Sequence, residues 1–326
     1  MKVDNGYVQA PVPEGIDLKE EILRLKKEKN AIILAHYYTV GEIQEVADFV
    51  GDSLALARIA EGLDNDIIVM CGVHFMGETV KILCPEKKVL VPDLNAGCSL
   101  ADSCPAPELE KFIKDHPGHT VISYVNTSAA VKALTDIVVT SGNAMKVVNS
   151  LPEDEKIIFG PDRNLGNYIN SVTGRNMLLW DGACHVHEQF SVEKIVELKR
   201  QHPDALVLAH PECKSTVLKL ADVVGSTAAL LKYAVKHPEK KYIVATESGI
   251  LHEMQKQCPQ TQFIPAPPAD STCACNECSF MRLNTLEKLY DCLKNESPEI
   301  TVDLAIAEKA VKPIKRMLEI SAKLGL

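Results

Sequence analysis

Short apolar runs of three to six residues alternate along the chain with longer segments of mixed polarity. Three of these runs lead into His36, Tyr124 and His210. His36 and Tyr124 are 88 residues apart, and Tyr124 and His210 are 86 residues apart. A nearly constant period with matching landmarks indicates three internal repeats. The three first runs cover 31–35, 120–123 and 205–209.

A second landmark recurs with the same period. Asp48, Asp136 and Asp222 each precede another short apolar run, and a hydroxyl residue follows each aspartate by five positions. Two further apolar runs come later in every repeat, so each repeat is predicted to contain four strands. The third runs cover 66–71, 156–159 and 241–244, and the fourth runs cover 88–91, 177–180 and 262–264.

Short, wholly apolar strands that alternate with helical segments are typical of parallel sheets covered by helices on both faces. We therefore predict an α/β fold of three homologous three-layer αβα domains, with short parallel sheets around a pseudo-threefold axis. The predicted divisions are an N-terminal segment and helix at 1–29, repeat domains at 30–115, 116–200 and 201–280, and a C-terminal helical tail at 281–326.

A cysteine follows the fourth strand of every repeat. Cys98 and Cys184 are 86 residues apart, and the third repeat offers Cys273, Cys275 and Cys278. Ligand-binding residues of parallel sheets lie at the carboxyl ends of the strands, so the cysteines are predicted to share one rim with the other landmarks. Three repeats about a common axis would bring three thiols to one point. The total of 11 cysteines is odd, which argues against a disulfide framework.

Three thiolates from distant parts of the chain suit a metal centre. A [4Fe–4S] cluster held by three cysteines leaves one iron open, and such an iron can bind and polarise a substrate oxygen. The alternative is a structural zinc, which normally takes four ligands in local pairs. Because two of the three positions offer a single cysteine, the sequence favours the cluster.

Polar side chains occupy equivalent places at the ends of the predicted first strands: His36, Tyr38, Tyr124, Asn126, His210 and Glu212. Acid–base groups gathered at one rim indicate catalysis, and Glu212 is a candidate general base. Hydroxyl residues that precede helical segments are either N-caps or parts of anion sites at helix N-termini. The second interpretation suits a substrate with carboxylate or phosphate groups. These hydroxyl residues are Ser53, Ser141, Ser226 and Thr227.

The composition argues for a globular protein and against a nucleic-acid-binding or membrane protein. Of 326 residues, 46% are hydrophobic and 24% are charged, as in globular proteins with a sizeable core. The net charge of −9 and the lack of a basic stripe argue against a nucleic-acid partner. The first residues lack the apolar core of a secretion signal, and the apolar runs are too short to cross a bilayer. We expect a cytoplasmic protein with no membrane segment.

Longer motifs carry a resemblance to a known family. From about residue 17 onward, the sequence resembles the quinolinate synthases, the A proteins of bacterial NAD biosynthesis. The motif FGPDRNLG at 159–166 and the spaced cysteines are the most specific features. The other matching motifs are AHYY at 35–38, VGDSL at 50–54, VPD at 91–93, YVN at 124–126, TS at 140–141, HPEC at 210–213, GST at 225–227, TE at 246–247 and NTL at 284–286.

The resemblance implies an enzyme that condenses iminoaspartate with dihydroxyacetone phosphate to give quinolinate, inorganic phosphate and two waters. It implies one oxygen-sensitive [4Fe–4S] cluster held by Cys98, Cys184 and Cys278. The sequence itself carries no signal for the oligomeric state, and we expect a monomer or homodimer. The resemblance also implies a functional link to an L-aspartate oxidase, because iminoaspartate hydrolyses readily. The implied catalytic residues are His36, Tyr38, His210 and Glu212, and the implied substrate-binding residues are Ser53, Tyr124, Asn126, Ser141, His187, Ser226 and Thr227.

The third repeat departs from the family pattern. Some members carry C-x-x-C-x-x-C and others a single cysteine, whereas this chain has C-x-C-x-x-C. Cys278 stands six residues before the NTL motif, which is the spacing of the family's ligand, and it lies nearest the next helix-like stretch. The roles of Cys273 and Cys275 stay open. Two alternatives remain: another three-repeat cluster enzyme, such as the reductase that ends isoprenoid precursor synthesis, and a metal or redox sensor with structural zinc.

Overall fold

Each of the three repeats folds into a four-stranded parallel sheet in the computed structural model, which describes residues 3, 5–270 and 276–325. All four strands of each predicted set are present. In chain order they are Ala31–His36 (β1), Phe49–Gly51 (β2), Ile67–Cys71 (β3), Lys88–Leu90 (β4), Thr120–Tyr124 (β5), Ile137–Val139 (β6), Ile157–Gly160 (β7), Leu178–Leu179 (β8), Ala205–Ala209 (β9), Val223–Val224 (β10), Lys241–Ala245 (β11) and Gln262–Pro265 (β12).

The strand order is the same in all three sheets. The first strand lies between the second and the third, and the fourth forms an edge, which gives β2-β1-β3-β4, β6-β5-β7-β8 and β10-β9-β11-β12. Every pairing between named strands is parallel. The carboxyl ends of all four strands therefore meet at one edge of each sheet. Because helices flank the three sheets, the predicted α/β class is confirmed.

Sixteen α-helices and one 3-10 turn connect and cover these strands in the described part of the chain. They are Leu18–Glu28 (α1), Gly41–Val46 (α2), Ser53–Glu61 (α3), His74–Leu83 (α4), Ser99–Asp102 (α5), Ala106–Asp115 (α6), Ala129–Lys132 (α7), Ala144–Ser150 (α8), Arg163–Thr173 (α9), His185–Glu188 (α10), Val192–Gln201 (α11), Ser215–Leu218 (α12), Thr227–Lys236 (α13), Ile250–Gln257 (α14), Leu286–Asn295 (α15) and Leu304–Lys323 (α16), with the 3-10 turn at Met281–Leu283.

The terminal helices pack on the first two repeats. α1 and α15 lie against one another and share an apolar core with the first sheet, through side chains such as Ile22 and Leu289. α16 packs on α4, α7 and β6, and its Ile314 and Met317 join a core that runs from the first repeat into the second. The third sheet has two other apolar clusters; Phe190 and Ile195 belong to one of them, and Tyr37 and Tyr38 of the first repeat pack against the other. We propose the domain limits 30–115, 116–200 and 201–280 from the repeat period, and each sheet lies within one of them.

The repeated aspartate has a structural role that is identical in all three repeats. Its carboxylate accepts the backbone N–H of a residue in the first strand, just before pairing with the second strand begins. The same aspartate donates its own N–H to the carbonyl of that residue. The carboxylate therefore extends the ladder at the place where the second strand starts. The three bonds to the carboxylates are Ile33 N–H to Asp48 at 2.8 Å, Val121 N–H to Asp136 at 2.8 Å and Val207 N–H to Asp222 at 2.7 Å.

The exchange Asp222→Ala should lower the free energy of unfolding by about 1–3 kcal/mol, because the N–H of the buried Val207 loses a charged acceptor. Urea unfolding of the metal-free protein measures the loss. Asp64→Ala, at an exposed position in the loop before β3, is the control and should leave the midpoint unchanged. Equal midpoints for the two variants would contradict the structural role of the repeated aspartate.

Candidate active site

The carboxyl ends of the three sheets surround one cavity. It contains about 750 Å³ of space that protein atoms leave empty, including its opening to solvent, and all three repeats contribute to its wall. Thirteen of the fourteen predicted site residues line this cavity, and only Ser226 does not. The thirteen are His36, Tyr38, Ser53, Cys98, Tyr124, Asn126, Ser141, Cys184, His187, His210, Glu212, Thr227 and Cys278.

The predicted hydroxyl residues differ in their relation to the helix starts. Ser226 is the N-cap of α13, where its Oγ accepts the N–H of Ala229 at 3.3 Å. At α3 the cap is Asp52, which accepts the N–H of Ala55 at 2.9 Å, while Ser53 is the first helical residue. Thr227, the first residue of α13, reaches the cavity wall. The N-cap interpretation therefore holds for Ser226 and not for Ser53.

One backbone hydrogen bond fixes the cysteine loop in every repeat. The N–H of the third residue after the third strand donates to the carbonyl of the residue two positions before the cysteine. Cys98, Cys184 and Cys278 therefore occupy equivalent structural positions, whereas Cys273 and Cys275 lie outside the described residues. The three bonds are His74 N–H to Ala96 O at 2.6 Å, Arg163 N–H to Gly182 O at 2.8 Å, and Ser248 N–H to Asn276 O at 3.2 Å.

The environments of the three thiols are also alike. Burial raises the pKa of Cys98 to about 12, with a smaller opposing effect from backbone N–H groups two and three residues later, and it raises the pKa of Cys184 and Cys278 as well. In addition to burial, Cys278 raises the pKa of Cys98, and Cys98 raises that of Cys184, so Cys98 lies within electrostatic reach of both other thiols. Bound metal would displace the thiol protons. The three thiols are thus a soft donor set that fits a metal centre.

A second donor set overlaps the first. The sulfur of Cys184, a ring nitrogen of His187 and a carboxylate oxygen of Glu212 lie within 4.8 Å of one another. By contrast, the other described cysteines are buried in places that do not contribute to the cavity wall: Cys71, Cys84, Cys104, Cys213, Cys258 and Cys292.

A chain of hydrogen bonds crosses the cavity between repeats. The hydroxyl of Tyr38 bonds to Oγ1 of Thr227 at 2.7 Å and to Oγ1 of Thr246 at 2.9 Å. Thr246 also bonds to Nε2 of His187 at 3.0 Å. Tyr38 comes from the first repeat, His187 from the second and both threonines from the third. Burial raises the pKa of Tyr38 well above its usual value, so the phenol stays protonated at neutral pH.

Glu212 lies in the centre of the imidazole groups. One of its oxygens is 2.7 Å from Nδ1 of His187 and 3.4 Å from Nδ1 of His210, and the two rings stack at 4.8 Å. The contact with His187 does not have the geometry of a hydrogen bond, and Nδ1 of His187 has no other partner among the described residues. The second oxygen of Glu212, Oε1, also has no hydrogen-bond partner there. Oε1 can therefore accept a hydrogen bond from a bound molecule.

Ionisation in this group follows from burial and neighbouring charge. Burial lowers the pKa of His36 to about 4 and that of His210 to about 3, although Glu212 opposes both shifts. Burial alone would raise the pKa of Glu212, but the imidazoles of His187 and His210 outweigh it and hold that pKa below its usual range. At pH 7 the site thus combines an ionised carboxylate with neutral His36 and His210.

The tautomers of His36 and His210 are set in the same way. Nδ1 of His36 accepts the N–H of Tyr38 at 3.1 Å, and Nδ1 of His210 accepts the N–H of Glu212 at 3.4 Å. The hydrogen of each neutral ring is therefore on Nε2. In His210 that nitrogen bonds to Oγ of Ser141 at 3.1 Å. Both rings are hydrogen-bond donors toward the cavity side.

Three residues with contacts at the site were not among the predicted site residues, although two of them form the TE motif at 246–247. Glu247 is a buried carboxylate of the cavity wall, and Thr246 links Tyr38 to His187. His185 lines the wall and bonds through Nδ1 to Oγ of Ser99 at 2.7 Å. The sequence contained a signal for two of these residues. Ser99 and His185 each directly follow a predicted cysteine ligand, and Glu247 follows a third strand by two residues.

Comparison with known proteins agrees with this site. The family model described as "Quinolinate synthetase A protein" matches residues 20–319. The chain belongs to this family. The quinolinate synthase of Nostoc punctiforme is 59% identical over 306 residues, which cover 94% of each chain. That of Chloroherpeton thalassium is 58% identical over 306 residues, or 94% of this chain and 95% of the relative. The family expected from the sequence is thus confirmed.

Relatives that share the name extend to Thermosynechococcus vestitus, at 56% identity over 313 residues, which cover 96% of this chain and 98% of the relative. Among the described residues, no helix combines the length and the apolar character that crossing a membrane requires.

In this member of the family, two buried side chains support the loops that carry site residues. Nε2 of Gln44 donates to the carbonyls of Tyr37 and Thr39, at 3.0 and 2.8 Å. In the second repeat, Nζ of Lys132 donates to the equivalent carbonyls, those of Val125 and Thr127. Burial lowers the pKa of Lys132 to about 8, so its ammonium group is still charged at pH 7. Each donor fixes the loop that holds Tyr38 or Asn126.

The exchange Lys132→Leu should lower kcat/KM for quinolinate formation by about 10-fold or more, because small misplacements of site groups cost up to about 10²-fold. Leucine is also the residue at the equivalent place of the third repeat, Leu218. Lys132→Gln, which copies Gln44 of the first repeat, should retain most of the activity. Steady-state kinetics and thermal unfolding of both variants test this, and equal kinetics for Lys132→Leu and the wild type would contradict it.

Proposed function

We propose that this chain condenses iminoaspartate with dihydroxyacetone phosphate to quinolinate, inorganic phosphate and two waters, and that it uses one [4Fe–4S] cluster. The observation that carries the proposal is the convergence of three thiols, one from each repeat, on the cavity that also holds Glu212 and the neutral imidazoles. Family membership supports the reaction, since the relatives are named for quinolinate synthesis.

The proposed cluster ligands are Cys98, Cys184 and Cys278. Their equivalent backbone positions support this choice, and they favour Cys278 as the ligand of the third repeat. When bound, such a cluster supplies a Lewis acid, because an iron without a protein ligand can bind and polarise a substrate oxygen. With three thiols and no local cysteine pair among these ligands, the donor set suits a cluster better than structural zinc.

Glu212 is the proposed proton acceptor. Its carboxylate is ionised at neutral pH, it is buried, and Oε1 has no hydrogen-bond partner in the described part of the chain. A carboxylate of this kind can take a proton from a substrate carbon during isomerisation and enolisation. His36 and His210 are proposed to donate hydrogen bonds from Nε2 to substrate oxygens, as neutral imidazoles do in other enzymes. Tyr38, held as a phenol, is a proposed proton donor to a departing hydroxyl.

Substrate anions are proposed to bind at the starts of α3 and α13. These helices have 9 and 10 residues, and their first residues, Ser53 and Thr227, line the cavity. Backbone N–H groups and the helix dipole at such ends favour carboxylates and phosphates. The remaining proposed substrate contacts are Tyr124, Asn126, Ser141, His187 and Ser226. We further propose a cytoplasmic monomer or homodimer that receives iminoaspartate from an L-aspartate oxidase.

An anaerobic assay with enzymatically generated iminoaspartate and dihydroxyacetone phosphate tests the function directly. The wild type should form quinolinate, and Glu212→Gln should reduce the rate by at least ~10²-fold while the cluster's absorbance is retained, since the amide cannot accept a proton. Glu197→Gln is the control, because Glu197 is exposed on helix α11 and does not line the cavity. Lack of quinolinate from a fully loaded wild type would refute the function, and normal turnover by Glu212→Gln would refute only the role of Glu212.

Iron and sulfide counts on anaerobically purified cysteine variants test the ligand set. Cys98→Ser, Cys184→Ser and Cys278→Ser should each lose the cluster, because each removes one of three thiolates. Cys273→Ser and Cys275→Ser should keep most of it. A cluster that survives in Cys278→Ser and disappears in Cys275→Ser would overturn the assignment in the third repeat.

A further inference from the structure

Two buried carboxylates occupy equivalent places just after the third strands of the second and third repeats. Asp162 follows β7 by two residues and Glu247 follows β11 by two residues. Both side chains are almost fully buried, with exposed fractions of 0% and 1%. Neither has a part in the chemistry described above. A buried carboxylate requires compensation by hydrogen bonds or charge, so the partners of these two groups indicate what they do.

Each carboxylate joins the end of a strand to a cysteine loop. The N–H of Cys184 donates to Oδ2 of Asp162 at 3.1 Å, and the N–H of Cys278 donates to Oε1 of Glu247 at 3.0 Å. In both residues, the second carboxylate oxygen accepts a backbone N–H from two or three residues later in the chain. Oδ1 of Asp162 accepts the N–H of Leu165 at 2.7 Å, and Oε2 of Glu247 accepts the N–H of Gly249 at 2.6 Å. Both oxygens of both groups therefore act as acceptors.

The first repeat has no carboxylate at the equivalent position. Val73 stands at the equivalent place, two residues after β3, and it has no acceptor to offer the N–H of Cys98. The backbone bond between the two loops is present in all three repeats, and it is shortest in the first at 2.6 Å. The carboxylates are thus an additional connection in the second and third repeats, where they act on the cysteine itself.

Charge does not account for the placement of these carboxylates. Burial is the main reason that the pKa of Cys184 and Cys278 is raised, and the adjacent Asp162 and Glu247 raise it further. Burial raises the pKa of Asp162 and of Glu247, and negative charge on either carboxyl group would oppose formation of the thiolate that binds metal. Arg282 compensates part of this charge at Glu247, 3.1 Å away. Each carboxylate thus stabilises its cysteine through the hydrogen bond to the backbone N–H, and not through its charge beside the thiol.

We propose that Asp162 and Glu247 are positioning residues that hold Cys184 and Cys278 in the geometry required for binding the cluster. This inference rests on the proposed function, since it takes both cysteines as ligands. Groups that orient metal ligands typically contribute about 10–100-fold to metal affinity. Loss of the hydrogen bond to Cys184 or to Cys278 is therefore expected to weaken retention of iron without removing a ligand.

The exchange Asp162→Asn separates the two bonds of Asp162. Asparagine is as good an N-cap as aspartate, so its oxygen can still accept the N–H of Leu165 and preserve the start of α9. Its amide group then faces the N–H of Cys184, donor against donor. Glu247→Gln leaves a single oxygen for the N–H groups of Cys278 and Gly249, so one of these two hydrogen bonds is lost. Asp136→Asn is the matched control, because Asp136 also accepts a backbone N–H in the second repeat but at the opposite end of the sheet.

The test measures anaerobic iron loss to a chelator, the electron paramagnetic resonance spectrum of the reduced cluster, and the Tm of the metal-free protein. Asp162→Asn and Glu247→Gln should lose iron at least ~10-fold faster than the wild type and show altered spectra, with Tm close to that of Asp136→Asn. Wild-type rates and spectra in both variants would overturn the inference while leaving the proposed function intact. Collapse of Tm in both would overturn it in favour of a purely structural role, and a wild type that binds no cluster would refute the proposed function itself.

Discussion

The backbone hydrogen bond between the loop after each third strand and the cysteine loop is the constraint on which the site depends. It occurs at the same two positions in every repeat, so three thiols that are far apart in sequence reach equivalent places at the rim. Parallel pairing then directs the ends of all strands to that rim, together with His36, Tyr124 and His210. A backbone bond is insensitive to side-chain changes, which explains how the geometry persists where Ala96, Gly182 and Asn276 differ completely.

Burial gives the groups in the cavity their chemical character. Neutral imidazoles, protonated phenols and an ionised Glu212 coexist because each is removed from water and balanced by particular neighbours. The hydrogen bonds that join Tyr38, Thr246 and His187 connect all three repeats, so no single repeat contains the complete set of interactions. The chemistry and the association of the repeats therefore rely on the same polar contacts.

Much of the architecture was predictable, because buried parallel strands are short apolar runs and three repeats provided the same signal three times. The strand β9 has its predicted limits, and β1 and β5 extend one residue further. Prediction failed where the role of a residue arises from contacts between distant segments. Nothing in the sequence distinguishes Lys132 from a surface lysine, and Glu247 gains its significance from the N–H of Cys278, 31 residues later. The choice of Asp52 over Ser53 as helix cap is decided by local backbone geometry.

The boundary of the third repeat has a consequence for stabilising the protein by substitution. The first two repeats share a continuous core that α16 reinforces. The third repeat meets the first partly through apolar packing, since Tyr37 and Tyr38 lie against one of its clusters. Hydrogen bonds such as Tyr38 to Thr227, Gln44 to the carbonyl of Gly249 and His210 to Ser141 add polar contacts. Tyr38, Thr227, His210 and Ser141 also line the cavity. Substitutions that strengthen this boundary without altering the site are therefore confined to positions outside the cavity wall.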